Sequence, residues 1–147
     1  MMNEKIETIM VTKLITLSPD QKLGDAVEIF KSKRIHHLPV VENGKLVGLI
    51  TTYDIWRASY QPFVNDDTLI SDVMSKKIVK INPEDKVGTA AEIFLDNRFH
   101  ALPVVNDEND LLGIVTSFDI LRVQFKKEYP DNVLFKEEID KGINIED

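Results

Sequence analysis

Cysteine is missing from this 147-residue chain, and histidine occurs only three times. No disulfide framework can form, thiolate chemistry is excluded, and three imidazoles without a thiolate argue against a structural zinc site. The simplest compartment for such a chain is a reducing one, the cytoplasm. No apolar run approaches the roughly 20 residues of a membrane span. The opening MMNEKIETIM lacks the basic and apolar regions of a signal peptide, so the expectation is a soluble protein with no membrane partner. Positive charge is also scarce: 18 Lys and Arg stand against 25 Asp and Glu, a net charge of −7. Such a surface repels nucleic acid, and an anionic ligand needs a local exception. A chain of this length suits one compact domain, or two half-size units sharing a core, and buries about two-thirds of its unfolded surface.

What the chain does have is a phrase written twice. IHHLPVV at 35–41 returns as FHALPVV at 99–105, an offset of 64 residues. The same offset lays Met10 on Met74, Pro19 on Pro83, Gly24 on Gly88, Phe30 on Phe94, Arg34 on Arg98 and Pro39 on Pro103. After the phrase the offset becomes 65, because ENGKLVG is one residue shorter than NDENDLLG, and Gly48, Thr51, Asp54 and Arg57 then fall on Gly113, Thr116, Asp119 and Arg122. The repeat is therefore a whole module.

Each copy reads alike. KLITLSP (13–19) and KIVKINP (77–83) are β-branched runs ending in Ser-Pro or Asn-Pro, which predicts a short strand and then a helix capped by the polar residue. Leu23, Ala26, Val27 and Phe30, matched by Val87, Ala90, Ala91 and Phe94, form one apolar helical stripe. HLPVV and ALPVV predict strands, closed by turns at ENGK and NDEND onto LVGLIT and LLGIVT. Pro39 and Pro103 are expected to start edge strands, where a missing N–H costs nothing. Gly48 and Gly113 are expected to permit close backbone approach where sheets cross. A second helix follows, with Tyr53, Trp56 and Tyr60 answered by Phe118, Leu121 and Phe125. A unit of about 50 residues buries too little apolar surface alone, so the two copies must pack together. The organisation reads as repeat one at 5–60, a linker at 61–70, repeat two at 71–125 and an extension at 126–147. In that extension Val133, Leu134, Phe135 and Ile139 suggest a short docked helix.

Two units, each with an apolar-His-x-Leu-Pro-Val phrase and a Gly-apolar-apolar-Thr-x-x-Asp-Ile phrase, together resemble a tandem cystathionine-β-synthase (CBS) domain pair, or Bateman module. The resemblance covers residues 5 to 125 and rests on several motifs recurring in order in both copies. It implies an α+β fold, an α/β sandwich of two βαββα repeats related by a pseudo-two-fold axis, with clefts that in relatives hold adenosine compounds. It implies further that the Thr and Asp of one copy face the first strand and pre-proline residues of the other. One cleft then joins Thr116 and Asp119 to Thr16, Ile35, His36 and His37. The second joins Thr51 and Asp54 to Lys80, Phe99, His100 and Ala101.

The chemistry of those residues admits two readings that can hold together. Thr51 with Asp54, and Thr116 with Asp119, have the spacing of a helix capping box. A carboxylate so placed can also accept both hydrogens of a ribose diol, while the threonine and helix end meet phosphate. Ile35 or Phe99 can lie against a purine. Where nucleotide-sensing relatives follow the histidine with arginine, this chain has His37 and Ala101, leaving Lys80, Arg34 or Arg98 to compensate phosphate. If the histidines carry partial charge near neutral pH, phosphate binding should strengthen on acidification. A shared metal site is disfavoured, because adjacent strand residues His36 and His37 should point to opposite faces.

No nucleophile beside a base emerges, and Asp54 and Asp119 are assigned to separate clefts, so the chain does not read as an enzyme. The first reading is a regulatory module, with no required cofactor, whose ligand is AMP, ADP, ATP or S-adenosylmethionine. The alternative is a structural dimerisation module with unoccupied clefts; a nucleotide-processing enzyme is a third. Partners would be the adenosine-containing ligand, a second copy of the chain, and a target protein that the sequence does not name. Ile55 and Ile120, beside the Trp56 and Leu121 stripe, are candidates for a dimer face.

Overall fold

A computed structural model describes residues 1–97 and 99–131. Arg98 and the helix predicted around Val133–Ile139 lie outside the described residues. After a 3-10 turn at Ile6–Thr8 the elements run α1 (Leu23–Ser32), β1 (His37–Glu42), β2 (Lys45–Thr51), α2 (Thr52–Ala58), α3 (Ile70–Val73), α4 (Val87–Asn97), β3 (Ala101–Val105), β4 (Leu111–Thr116) and α5 (Ser117–Glu128). The fold is α+β and consists of two repeats.

Each repeat is built on an antiparallel hairpin, β1 with β2 and β3 with β4. The tight turn of the first uses Asn43 and Gly44, both at positive φ (52° and 79°), as a two-residue hairpin with right-handed twist requires. Registers match: Leu38 opposes Ile50 and Val40 opposes Gly48 in one sheet, while Leu102 opposes Val115 and Val104 opposes Gly113 in the other.

The opening strands expected at 13–19 and 77–83 contract to single bridging residues. Leu17 donates to Pro39 O at 3.0 Å and accepts from Val41 N at 2.7 Å; Ile81 makes the same pair with Pro103 and Val105 at 3.0 and 2.9 Å. β1 and β3 remain edges of two-stranded sheets, touched on the proline side by one isolated bridge, with the prolines inside the strands and not at their first residues as expected. The next rung of each parallel ladder needs an N–H that Pro39 and Pro103 do not have. Ile15 and Val79, one step earlier in the chain, are released from the sheet.

The helices also begin later than expected. Ser-Pro-Asp-Gln and Asn-Pro-Glu-Asp form side-chain-capped turns, with Ser18 N donating to Gln21 Oε1 at 2.8 Å and Asn82 N to Asp85 Oδ2 at 2.9 Å. Helix α1 then starts at Leu23, its entry closed by Lys22 N donating to Asp25 Oδ2 at 3.1 Å.

Those turns have another task, which is to receive the opposite repeat. Pro83 O and Asp85 O accept the amides of Glu7 and Ile6 at 3.0 and 2.8 Å, and Pro19 O and Gln21 O accept those of Ser71 and Ile70 at 3.0 and 2.8 Å. The cores are exchanged to match. Ile6 and Ile9, from the start of the chain, pack with Ile81, Val87, Phe94, Leu102, Val104 and Val115, while Ile70 packs with Leu17, Leu23, Leu38, Val40 and Ile50. Beyond these turns, Val11 bridges Ile114 on β4 and Ser75 bridges Leu49 on β2. Exchanging the halves reproduces the pattern, which is what an approximate two-fold demands.

Gly48 and Gly113 serve this exchange more than a crossing of sheets. A Cβ at Gly113 would lie 2.8 Å from Met10 Sδ and 2.9 Å from Val11 O, and one at Gly48 would collide with the Met74 side chain. The hairpin tips join the halves a second time, through Leu46 N to Asn109 O at 3.1 Å and the Lys45–Asp110 ion pair at 2.7 Å.

Candidate functional site

Between the sheets lies a cleft of about 1230 Å3 lined from both repeats. Of the residues proposed from sequence, Ile35, His36, His37, Thr51, Asp54, Phe99, His100, Ala101, Thr116 and Asp119 line it. The two sets assigned to separate clefts thus share one continuous cavity. Thr16 and Lys80 do not line it. Lys80 Nζ donates to Asn109 Oδ1 at 2.6 Å instead, at the tip of the second hairpin.

Sequence reading missed Lys13, Leu14 and Ile15 and their counterparts Lys77, Ile78 and Val79, all in the wall. They carry the chain from its bridge to the opposite hairpin, at Val11 or Ser75, back to its own at Leu17 or Ile81. Their signal was present: KLI and KIV match at the same offset as everything else. Tyr53, Phe118 and Arg122 also line the cleft.

Both carboxylates sit where strand passes into helix, at β2–α2 and β4–α5, and both close capping boxes. Asp54 N donates to Thr51 Oγ1 at 3.1 Å while Thr51 N donates to Asp54 Oδ2 at 2.9 Å. Asp119 and Thr116 repeat this at 3.0 and 2.9 Å. The pre-proline phrase buttresses the same corner: His36 O accepts from Thr52 N and His100 O from Ser117 N, each at 3.2 Å. Asp54 and Asp119 are only 7% and 4% exposed, the buried charged residues of the described structure. The box occupies Oδ2 in both; Asp54 Oδ1 keeps its acceptor capacity, whereas Asp119 Oδ1 accepts from Arg122 Nη2 at 3.3 Å.

The histidines differ from expectation in two ways. His36 precedes β1, so strand alternation does not separate it from His37; both line the cleft, their rings perpendicular with centroids 6.4 Å apart. No group of three or more potential metal ligands occurs among the described residues. Burial of the His37 ring, with smaller contributions from His36 and His100, pulls its pKa down to about 4. At neutral pH His37 is an uncharged imidazole, so the expected strengthening of phosphate binding near neutrality cannot come from this residue. Of the arginines considered, Arg34 lines the cleft.

Comparison with known proteins places these features in context. A family model described as CBS domain matches residues 6–58 and 70–126. A CBS domain-containing protein of Bacillus subtilis is 31% identical over 129 residues, covering 88% of this chain and 91% of its own. The inosine-5'-monophosphate dehydrogenase of Methanocaldococcus jannaschii is 36% identical over 129 residues, which is 86% of this chain but 24% of the enzyme. The chain spans less than half the length of several curated relatives that it matches. Among solved structures, a CBS domain pair in complex with 5'-methylthioadenosine and S-adenosyl-L-methionine superposes with a TM-score of 0.74 at 30% identity, over 84% of this chain and 98% of that one. No helix among the described residues is long and apolar enough to cross a membrane.

Proposed function

The chain belongs to the CBS domain family, and from that premise we propose that it is a regulatory module binding an adenosine-containing ligand between its repeats. The observation that carries the reading is the pairing of two buried cleft carboxylates, Asp54 and Asp119, each anchored by its own threonine. A carboxylate so fixed is a pre-organised acceptor for a vicinal diol, because its geometry is set before the ligand arrives. Ile35 and Phe99 offer apolar faces for a purine, and Lys13 and Lys77 supply the cations that the sequence reading sought in Lys80. The volume exceeds the roughly 300–1000 Å3 of a single small-ligand pocket. Two adenosine-sized ligands fit such a space better than one.

S-adenosylmethionine is the first ligand to test, since a relative of 30% identity holds it with methylthioadenosine; AMP, ADP and ATP follow. The chain regulates by a shift between its halves, and any such shift requires unequal affinity for two states. The hydrogen-bonded hairpin tips and exchanged turns are the contacts that would move. Catalysis is not part of this reading.

Self-association is the second element. Ile55 and Ile120, candidates for a dimer face, turn inward against the cores. The exposed stripe is Trp56 on α2, Tyr60 just past its end and Leu121 on α5, continued to the cleft wall by Tyr53 and Phe118, all more than half exposed. Trp56 packs against Tyr53 and Tyr60 at 5.8 and 5.2 Å, a ladder left open to solvent. An apolar surface of that kind fits a second copy.

Isothermal titration with S-adenosylmethionine, AMP and ATP tests the ligand, with Asp54→Ala, Asp119→Ala as the comparison. Binding to the wild type that disappears in a folded double variant is expected. Protein free of co-purified nucleotide that shows neither heat nor thermal shift with any of them would leave the structural dimerisation module as the better reading. Sedimentation of Trp56→Glu, Leu121→Glu reads the oligomeric state separately.

A further inference from the structure

We propose that the two halves of the cleft are unequal: Asp54 accepts the ribose diol first, and Arg122 is the positioning residue that holds Asp119 back. The inference rests on the adenosine reading above. The two capping boxes are alike, each occupying Oδ2, and the difference lies at Oδ1. Arg122 Nη2 donates to Asp119 Oδ1 at 3.3 Å from within the cleft wall, its guanidinium 5.9 Å from the centroid of the Phe118 ring. Arg57, its counterpart in the repeat, stands 5.7 Å from the centroid of Tyr53, makes no ion pair with Asp54 and does not line the cleft. Asp54 Oδ1 accepts no hydrogen bond among the described residues and is reached by solvent, since no buried side-chain oxygen there lacks a partner.

A diol needs two acceptor positions on one carboxylate. At Asp54 the unoccupied oxygen supplies them against displaced water; at Asp119 an incoming hydroxyl must first move a cation from the same oxygen. The Arg122 side chain is 46% exposed, so its ion pair is weak and acts as a bias, not a barrier. The repeat that makes the halves equivalent in sequence is thereby broken at one side-chain contact.

The probe is adenosine, which is uncharged, so that Arg122 gains no phosphate contact. Titration of wild type should resolve a tighter and a weaker event. Asp54→Asn should weaken the tighter event tenfold or more, the worth of a hydrogen bond to a charged group, and Asp119→Asn should leave it within about twofold. Asn keeps a carbonyl able to accept the threonine N–H, so the box survives, and thermal midpoints check it. Arg122→Ala should strengthen the weaker event about two- to fivefold, a gain that structural damage does not produce. Equal events in wild type, loss of the tighter event in Asp119→Asn, or an Arg122→Ala variant whose weaker event is unchanged or poorer each overturns the inference while leaving the adenosine reading standing. Adenosine failing to bind any of these proteins would overturn the inference, and only if S-adenosylmethionine, methylthioadenosine, AMP and ATP failed as well would the adenosine reading fall with it.

Discussion

Replacing Ile6 by alanine is the most direct probe of how this chain is assembled. Ile6 lies at the start of the first repeat yet is fully buried in the core of the second, against Ile81, Val87 and Leu102 among others. Its amide also donates to Asp85 O at 2.8 Å. Alanine retains that hydrogen bond and deletes only the buried branched side chain, so the cost is transfer plus cavity, about 2–5 kcal/mol. Urea unfolding should show that loss with little change in m-value, and the thermal midpoint should fall by roughly 10 °C. Leu95→Ala, at a residue 82% exposed, serves as the control and should stay within about 0.5 kcal/mol. The distinctive observable is where protection is lost. Amide exchange should quicken first at Leu102, Val104 and Val115, more than 90 residues away in sequence, and less at Leu38, Val40 and Ile50. Ile70→Ala should do the reverse. Faster exchange in β1 and β2 for Ile6→Ala, or a loss below about 1 kcal/mol, would refute the exchanged core.

Two further expectations test other contacts. The folded-state pKa of His37, near 4, lies below the usual 6.5, so between these values the unfolded chain binds a proton that the folded one refuses; stability should therefore decline as pH falls from about 6.5 toward 4. Discounted for solvent around a half-buried ring, the decline is about 1–2 kcal/mol, and urea midpoints at pH 7 and 5 for wild type and His37→Asn measure it; an unchanged difference would assign the slope elsewhere. Gly113→Ala puts a methyl group 2.8 Å from Met10 Sδ and 2.9 Å from Val11 O. Overpacking against backbone should cost about 1–3 kcal/mol in urea unfolding, with Met10→Ala restoring only part of it because the carbonyl stays.

The capping boxes, the paired hairpins and the carboxylate and pre-proline parts of the cleft wall were legible in the sequence, since each depends on local spacing and each was written twice. Thr51 with Asp54 closes its box within four residues, and Asn43-Gly44 specifies its turn within two. Thr16 and Lys80 went astray for a reason that is not local: the runs they belong to are held at one end by the opposite hairpin and at the other by their own, and that pairing decides which residues reach the cleft. His37 illustrates a different limit. Its uncharged state at neutral pH comes from burial among residues distant in the chain, and no motif encodes burial.

By itself the sequence determined that there are two units, what each contains and which side chains carry chemistry, because hydrophobic period, turn residues and caps act over a few residues. Only the tertiary structure decided who packs with whom. Ile6 and Ile70 pack in each other's repeat because the capped turns at Pro19 and Pro83 present their carbonyls to whichever segment reaches them, and two similar copies offer two such segments. The structure likewise decided that Arg122 meets Asp119 while Arg57 leaves Asp54 alone. The two arginines occupy matching positions in the repeat, and only the arrangement of side chains around the cleft tells them apart.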